Sequence, residues 1–403
     1  MNVCFVYKED YPWDVRVEKI VKTLAERGHS VTLVANNTAR RARHERLDAI
    51  TIRRLQALPG IFGRLNDAVS LPVFFNPLWL FAIFRTLRRT GAPVVIVRDL
   101  PLMPAALLIG RILGRRIVFD MAECYPAMYA SALRFSDQKA GNYMLKNPHF
   151  AALLERISVR YADHVLVMIE ESRDRLLQLG FDAAKITIVS NTPRTTAAAT
   201  PRTHLRKDVL KIIYVGFVTR LRGIDNALHG LAAYAAADVP RPSVVLHVVG
   251  TGAALAECRA LADRLGLGPL VQFHGWLEHD FVKELYAESD IGVLPYHVCS
   301  HWNHTIPNKL FDYMASGIPV LCTNVRPIQR IVDEVGCGLV CADNDAASFA
   351  ECLLRLTDSD VRADMGRRGF EAIRARYNWE TDSMRLTDVV ERLAPRRPED
   401  ALG

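Results

Sequence analysis

The sequence predicts an α/β protein of two doubly wound domains facing across a cleft. Three observations predict it. The chain has 403 residues, more than one hydrophobic core usually supports. Short apolar, β-branched runs alternate with longer amphipathic stretches along nearly all of it. The alternation also stops once, over residues 191–208, and then restarts.

In the first half, strands are expected at residues 3–7, 31–35, 51–53, 94–97, 117–120 and 165–169. A helical pattern over 17–27 ends at Gly28, a residue that readily takes the left-handed turn closing a helix. Continuous apolar strands separated by helices point to parallel sheets buried on both faces. The run NTPRTTAAATPRTHLRKD has no periodicity and reads as a linker. Beyond it, strands are expected at 210–215, 244–249, 271–273, 291–294, 320–322 and 338–340, and helix alone after 363. The expected division is a first domain over 1–190, a linker over 191–208 and a second domain over 209–372. A helical segment over 373–403 is expected to pack back towards the first domain.

Composition narrows the classes. Half the residues are apolar and 24% are charged, an ordinary globular balance. The first ten residues read as a strand running into charge, not as a signal peptide. The eight cysteines are scattered without a C-x-x-C pair, which fits a reduced cytoplasm better than structural zinc. The formal charge is +7, with arginines concentrated over 40–54 and 85–116. Such groups suit phosphates or anionic lipid, or form a plain solvated face; no nucleic-acid-binding motif accompanies them. The most apolar segment, residues 69–84, is too short and too interrupted by proline to span a bilayer. It reads either as a helix buried against a sheet or as an interfacial segment on the inner face of a membrane.

Three features of the second half suit a phosphate-bearing ligand. The first is a strand leaving into a loop with Gly216, Arg220, Arg222 and Gly223. Glycine lets the backbone approach closely, and guanidinium groups bind phosphate oxygens in pairs. The second is Gly250-Thr251-Gly252, a turn before a helical run; a lone G-x-G is also a common tight turn. The third is T-I-P-N-K-L-F-D-Y-M-A-S-G-I-P-V, residues 305–320. Pro307 opens a helix there and Gly317 closes it. Asn308 and Lys309 then lie in its first turn beside unbonded N–H groups. Asp312, one turn on, falls on the same side.

These stretches, with F-H-G-W and S-D-I-G-V-L-P-Y ending at Tyr296, resemble in order the donor domain of retaining GT-B glycosyltransferases of family 4. The resemblance covers nearly all of the second domain. It implies two Rossmann-like domains and a nucleoside diphosphate sugar as co-substrate, with UDP or GDP as carrier. It also implies no catalytic metal or other cofactor. Donor contacts are implied for Gly216, Arg220, Arg222, Gly250, Thr251, Gly252, Tyr296, Asn308, Lys309, Leu310 and Asp312, the last holding the ribose. Two positions depart from the family: its sugar-contacting glutamate falls at His304, and its arginine after V-G falls at Phe217. In the first half, F-D-M-A-E-C-Y-P (119–126) resembles the family's D-x-H-E-x-Y-P, with Ala122 at the histidine. Glu123 and Asp99 are the implied acceptor-facing carboxylates, Glu123 being open equally to a capping role. With His304 they complete the catalytic candidates. Asp14 and Arg16 match a D-x-R element on the acceptor side. The pairs Asp343/Asp345 and Asp358/Asp360 have D-x-D spacing but sit where aspartate caps helices. The expected acceptor is a glycan or lipid-linked hydroxyl in surface polysaccharide synthesis. A nucleotide-sugar epimerase and an inactive scaffold subunit are alternatives on the same fold.

Overall fold

The computed structural model describes residues 1–12, 14–55, 76–135, 147–195 and 208–394. Trp13, residues 69–75 of the apolar segment and most of the expected linker lie outside them. The chain divides into two compact units, one of residues 1–133, 138–191 and 382–403 and one of residues 134–137 and 192–381.

The first unit holds an eight-stranded sheet. Its strands are β1 (Asn2–Val6), β2 (Ser30–Ala35), β3 (His44–Leu47), β4 (Ile50–Arg54), β5 (Val94–Arg98), β6 (Arg116–Met121), β7 (His164–Val167) and β8 (Ile186–Ile188). They lie in the order β3-β4-β2-β1-β5-β6-β7-β8. The central strands are buried along almost their whole length, as parallel strands covered on both faces must be. Two elements were not expected. β3 pairs antiparallel with β4, so the sheet is not wholly parallel; three of its four residues, HERL, are polar, as an edge strand that meets water allows. β8 is only three residues long. The helices are α1 (Val15–Glu26), α2 (Pro77–Thr90), α3 (Met103–Ile112), α4 (Tyr125–Phe135), α5 (Pro148–Tyr161) and α6 (Glu170–Gln178). α2 accounts for the described end of the apolar segment. It buries Trp79, Ile83 and Leu87 and exposes Phe81 and Phe84.

The second unit is a six-stranded, wholly parallel sheet: β9 (Val209–Val215), β10 (Ser243–Val249), β11 (Val271–Gly275), β12 (Ile291–Leu294), β13 (Val320–Thr323) and β14 (Gly338–Cys341). Their order is β11-β10-β9-β12-β13-β14. Its helices are α7 (Ile224–Ala236), α8 (Leu255–Arg264), α9 (His279–Glu288), α10 (Asn308–Ala315), α11 (Arg326–Val335), α12 (Ala346–Arg355) and α13 (Ser359–Ala375); α14 (Trp379–Arg392) follows. Asp345 and Asp358 cap α12 and α13, as their positions imply. All eight cysteines are free and buried. No helix among the described residues is long and apolar enough to cross a membrane.

The start of α1 is fixed by charge. Asp14 caps it, accepting from the N–H groups of Arg16 and Val17. Arg16 is fully buried. Its Nε and Nη2 donate to Asp120 at the end of β6, the shortest bond being 2.6 Å, and its Nη1 donates to the carbonyls of Val189 and Ser190. Arg16 is therefore corrected from an acceptor contact to an internal tie joining α1, β6 and the segment after β8. Removing one member of a buried pair strands the other charge at a cost of about 3–5 kcal/mol. Arg16→Ala is expected to lose that much stability in chemical denaturation followed by a probe of the first unit. A loss below about 1 kcal/mol would show that the tie is dispensable.

Candidate donor and acceptor sites

In a parallel sheet whose strand order reverses, loops diverge at the switch point and leave a crevice at the carboxyl ends of the strands. The second sheet reverses between β9 and β12, and the donor candidates leave from β9, β12 and the adjoining β10.

The glycines there are required by backbone crowding. Gly250 has φ 134°, and a Cβ on it would lie 1.9 Å from the carbonyl oxygen of Gly216. A Cβ on Gly252 would lie 2.2 Å from that of Val218. The two loops are laced by Gly216 N–H to Val249, Val218 N–H to Thr251 and Ala254 N–H to Val218. The G-T-G turn thus has a structural reason of its own, and α8 begins only at Leu255.

Arg222 stands at the reversal itself. Its Nη1 lies 3.2 Å from the Tyr296 hydroxyl, and its guanidinium sits 5.4–5.8 Å from the ring centres of Trp302, Tyr296 and Phe217. Such stacking orients a cation without neutralising it. Tyr296 is wholly buried, so it is corrected from a donor contact to the residue that positions Arg222. Leu310 is corrected likewise: its side chain is in the core, and its N–H donates to Pro307 within the first turn of α10. Arg220 pairs with Glu257 at 2.8 Å on the surface.

Pro307 stands immediately before α10, leaving its first N–H groups without a side-chain cap. Lys309 Nζ lies 2.8 Å from Asp312 Oδ2, each side chain about one-third exposed. The two expected ligand groups are brought together here as a pair open to solvent. His304 closes the short turn Trp302–His304, and its Nδ1 bonds the Ser300 carbonyl at 2.8 Å. A carbonyl only accepts, so Nδ1 carries a proton and donates it to that bond.

A cluster that sequence reading missed braces these loops. His297 lies 3.1 Å from Asp225 and 3.0 Å from Asp343. Asn226 donates to Asp343 and to the Pro295 carbonyl. Asp343 is therefore a brace rather than a cap. No motif spacing announces residues 72 and 46 positions apart.

At the first sheet's reversal, between β1 and β5, Arg98 reaches Asp14 at 2.9 Å and Asp120 at 3.4 Å. Burial opposes charge on Asp14, but Arg98 and two N–H groups outweigh it and hold the carboxyl below its usual range. Asp99 differs. Its φ is 63°, a conformation uncommon outside glycine. Its Oδ1 is buried without a hydrogen-bond partner among the described residues. Burial pushes its carboxyl up, against the nearby Arg98. Glu123 is half-buried on the loop between β6 and α4.

Two family models meet this chain: "Glycosyl transferase 4-like domain" over residues 14–192 and "Glycosyl transferases group 1" over residues 209–359. Together they span most of it. The chain belongs to the family 4 glycosyltransferases. It is 26% identical to the D-inositol 3-phosphate glycosyltransferase of Xylanimonas cellulosilytica over 57% of its own length and 56% of that relative's. It thus matches little more than half of that curated relative. Its fold is the GT-B fold of sucrose-phosphate synthase from Thermosynechococcus elongatus, at 18% identity and a TM-score of 0.73 over 98% of this chain and 99% of that one. HepE from Anabaena, solved with UDP and glucose, is similar at 14% identity and a TM-score of 0.70 over 97% and 100%.

The two carboxylates raise the pKa of His297 above its ordinary value, although burial works to lower it. A raised folded pKa stabilises the fold fully below the unfolded value of about 6.5 and progressively less as pH rises through the folded one. The melting temperature of this family member's second unit is expected to fall across that window. His297→Gln should flatten this part of the pH profile in scanning calorimetry. An unchanged slope in the variant would remove His297 as its source.

Proposed function

We propose that this family 4 glycosyltransferase moves a sugar from a nucleoside diphosphate sugar to a hydroxyl acceptor, retaining the anomeric configuration and using no metal. The observation that carries the reading is the set of cationic groups at one sheet reversal: Arg220, ring-held Arg222, and Lys309 at the start of α10. A departing diphosphate gathers negative charge as the anomeric carbon–oxygen bond breaks. Fixed cations and helix N–H groups stabilise that charge in place of a divalent ion. Asp312 accepts from the ribose hydroxyls, Asn308 and the glycine turns flank the diphosphate, and His304 faces the sugar. Glu123 and Asp99 serve the acceptor, whose hydroxyl oxygen forms the new bond and gives up its proton to a carboxylate. Asp99 suits proton handling because its buried oxygen lacks a fixed partner. UDP in the HepE structure supports a UDP sugar before a GDP sugar.

The acceptor we favour is a lipid-linked or glycan hydroxyl of surface polysaccharide synthesis, met in the cytoplasm at the inner face of a membrane. The basic first unit supports this peripheral contact.

A screen of nucleotide sugars for donor hydrolysis and transfer tests the reading. The wild type is expected to act on one donor, with Lys309→Ala and Asp312→Ala each lowering kcat/KM by roughly 10²-fold. The matching nucleoside diphosphate should also raise the melting temperature, as binding to the folded state alone requires. No shift with any nucleotide would sink the transferase and favour a scaffold. Turnover without an acceptor to an isomeric nucleotide sugar would favour an epimerase.

A further inference from the structure

We propose that the outer face of α2, α3 and α5 in the first unit docks on an anionic lipid bilayer. The inference rests on the membrane contact proposed above and gives it a surface.

α5 is amphipathic in the wrong sense for a helix that meets water. Its inward side carries Glu155 and Ser158 among Ala151, Leu154 and Val159, with Glu155 held by Arg175 at 2.7 Å. Its outward side carries Phe150, Leu153, Ile157 and Tyr161, at the spacing of one helical stripe, and Leu153 is 55% exposed. A surface helix ordinarily places charged and polar residues there. α3, which packs beside α5, repeats the pattern with Leu108 and with Ile112, 63% exposed. Arg111 joins the two patches, its Nη2 bonding the Tyr161 carbonyl at 3.1 Å with its guanidinium over the Tyr161 ring. α2 packs beside α3 in turn. It exposes Phe81 and Phe84, each with an arginine, Arg85 or Arg88, 5.9 Å from its ring centre.

Charge selects the occupant. α2 and α3 contain no acidic residue, and the single acid of α5 is the buried Glu155. Arg156 and Arg160, with no ion pair among the described residues, line a cavity of about 600 Å³ with Lys185, Leu179 and Phe181. One exposed carboxylate, Asp182, also lines the cavity, accepting from the Ala184 N–H and outnumbered there by Arg156, Arg160 and Lys185. An apolar surface so dominated by cations matches acyl chains beneath anionic headgroups. The cavity is roomy enough for a headgroup phosphate. A second copy of the same face would set cation against cation. No described helix can span the bilayer, so the contact is peripheral.

Flotation with vesicles of phosphatidylcholine, alone or with 30% phosphatidylglycerol by design, tests the proposal with the full chain. The wild type is expected to float with the anionic vesicles only and to release at high salt. The pairs Leu153→Glu/Ile157→Glu and Phe81→Glu/Ile112→Glu should each lower partitioning roughly tenfold or more. Val239→Glu, on the second unit, should not. Each variant must keep the wild-type thermal shift with nucleotide, which separates lost docking from lost folding. Undiminished flotation of both pairs would overturn the assignment of this face. If the wild type failed to float, the membrane reading would fall with it and leave the transferase reading untouched. A self-association that the same substitutions abolish, without vesicle binding, would make the occupant a second copy and overturn the proposal.

Discussion

Both sheets are built mainly of parallel strands covered on both faces, and this constraint places everything else. Such strands leave no room inside for charge, so polar chemistry is driven to their carboxyl ends and concentrates where the strand order reverses. An arginine reaches across each reversal. Arg98, at the end of β5, bonds Asp14 beyond β1. Arg222, beyond β9, bonds Tyr296 beyond β12. The topology is shared and the use is opposite. In the first unit the cation is met by carboxylates and serves the fold. In the second it is held by rings and a phenol, which fix its direction.

Burial decides which cations can change partner. Arg16 and Asp120 are fully buried, and separating them would strand two charges away from water. The Arg220–Glu257 and Lys309–Asp312 pairs lie partly in solvent. Such pairs contribute about 0–1 kcal/mol, so exchanging their partners costs little, whereas separating Arg16 from Asp120 does not.

The legible parts of this molecule were those whose causes are local in the chain. Twelve strands announced themselves as apolar runs, and α10 by the proline before it and the glycine after it. β3 did not, because three polar residues and a lone leucine at a sheet edge carry no apolar signal, and β8 is too short to have a period. Arg16 looked like a ligand group because Asp14 and Arg16 match a D-x-R element of the family; only the fold brings Asp120, 104 positions away, against it. The His297 brace was hidden for the same reason. Asp343 was read as a cap from its neighbours, and its actual partners come from two other loops. The arginines and phenylalanines of α2 were visible as a cluster, but the companion stripe on α5 depends on knowing which side of that helix faces in.

The two departures from the family pattern become intelligible together. By the resemblance, Phe217 stands where the family carries an arginine, so a ring replaces a cation on the loop after β9. Its ring lies against Arg222, and its carbonyl accepts a 2.6 Å bond from the Tyr214 hydroxyl. The ring thus forms one wall of the aromatic setting around Arg222. His304 stands where the family carries a glutamate. With its Nδ1 bonded to the Ser300 carbonyl, the imidazole in that place lacks the carboxylate's negative charge. The two departures remove one cation and one anion of the family pattern, so their changes in formal charge offset each other.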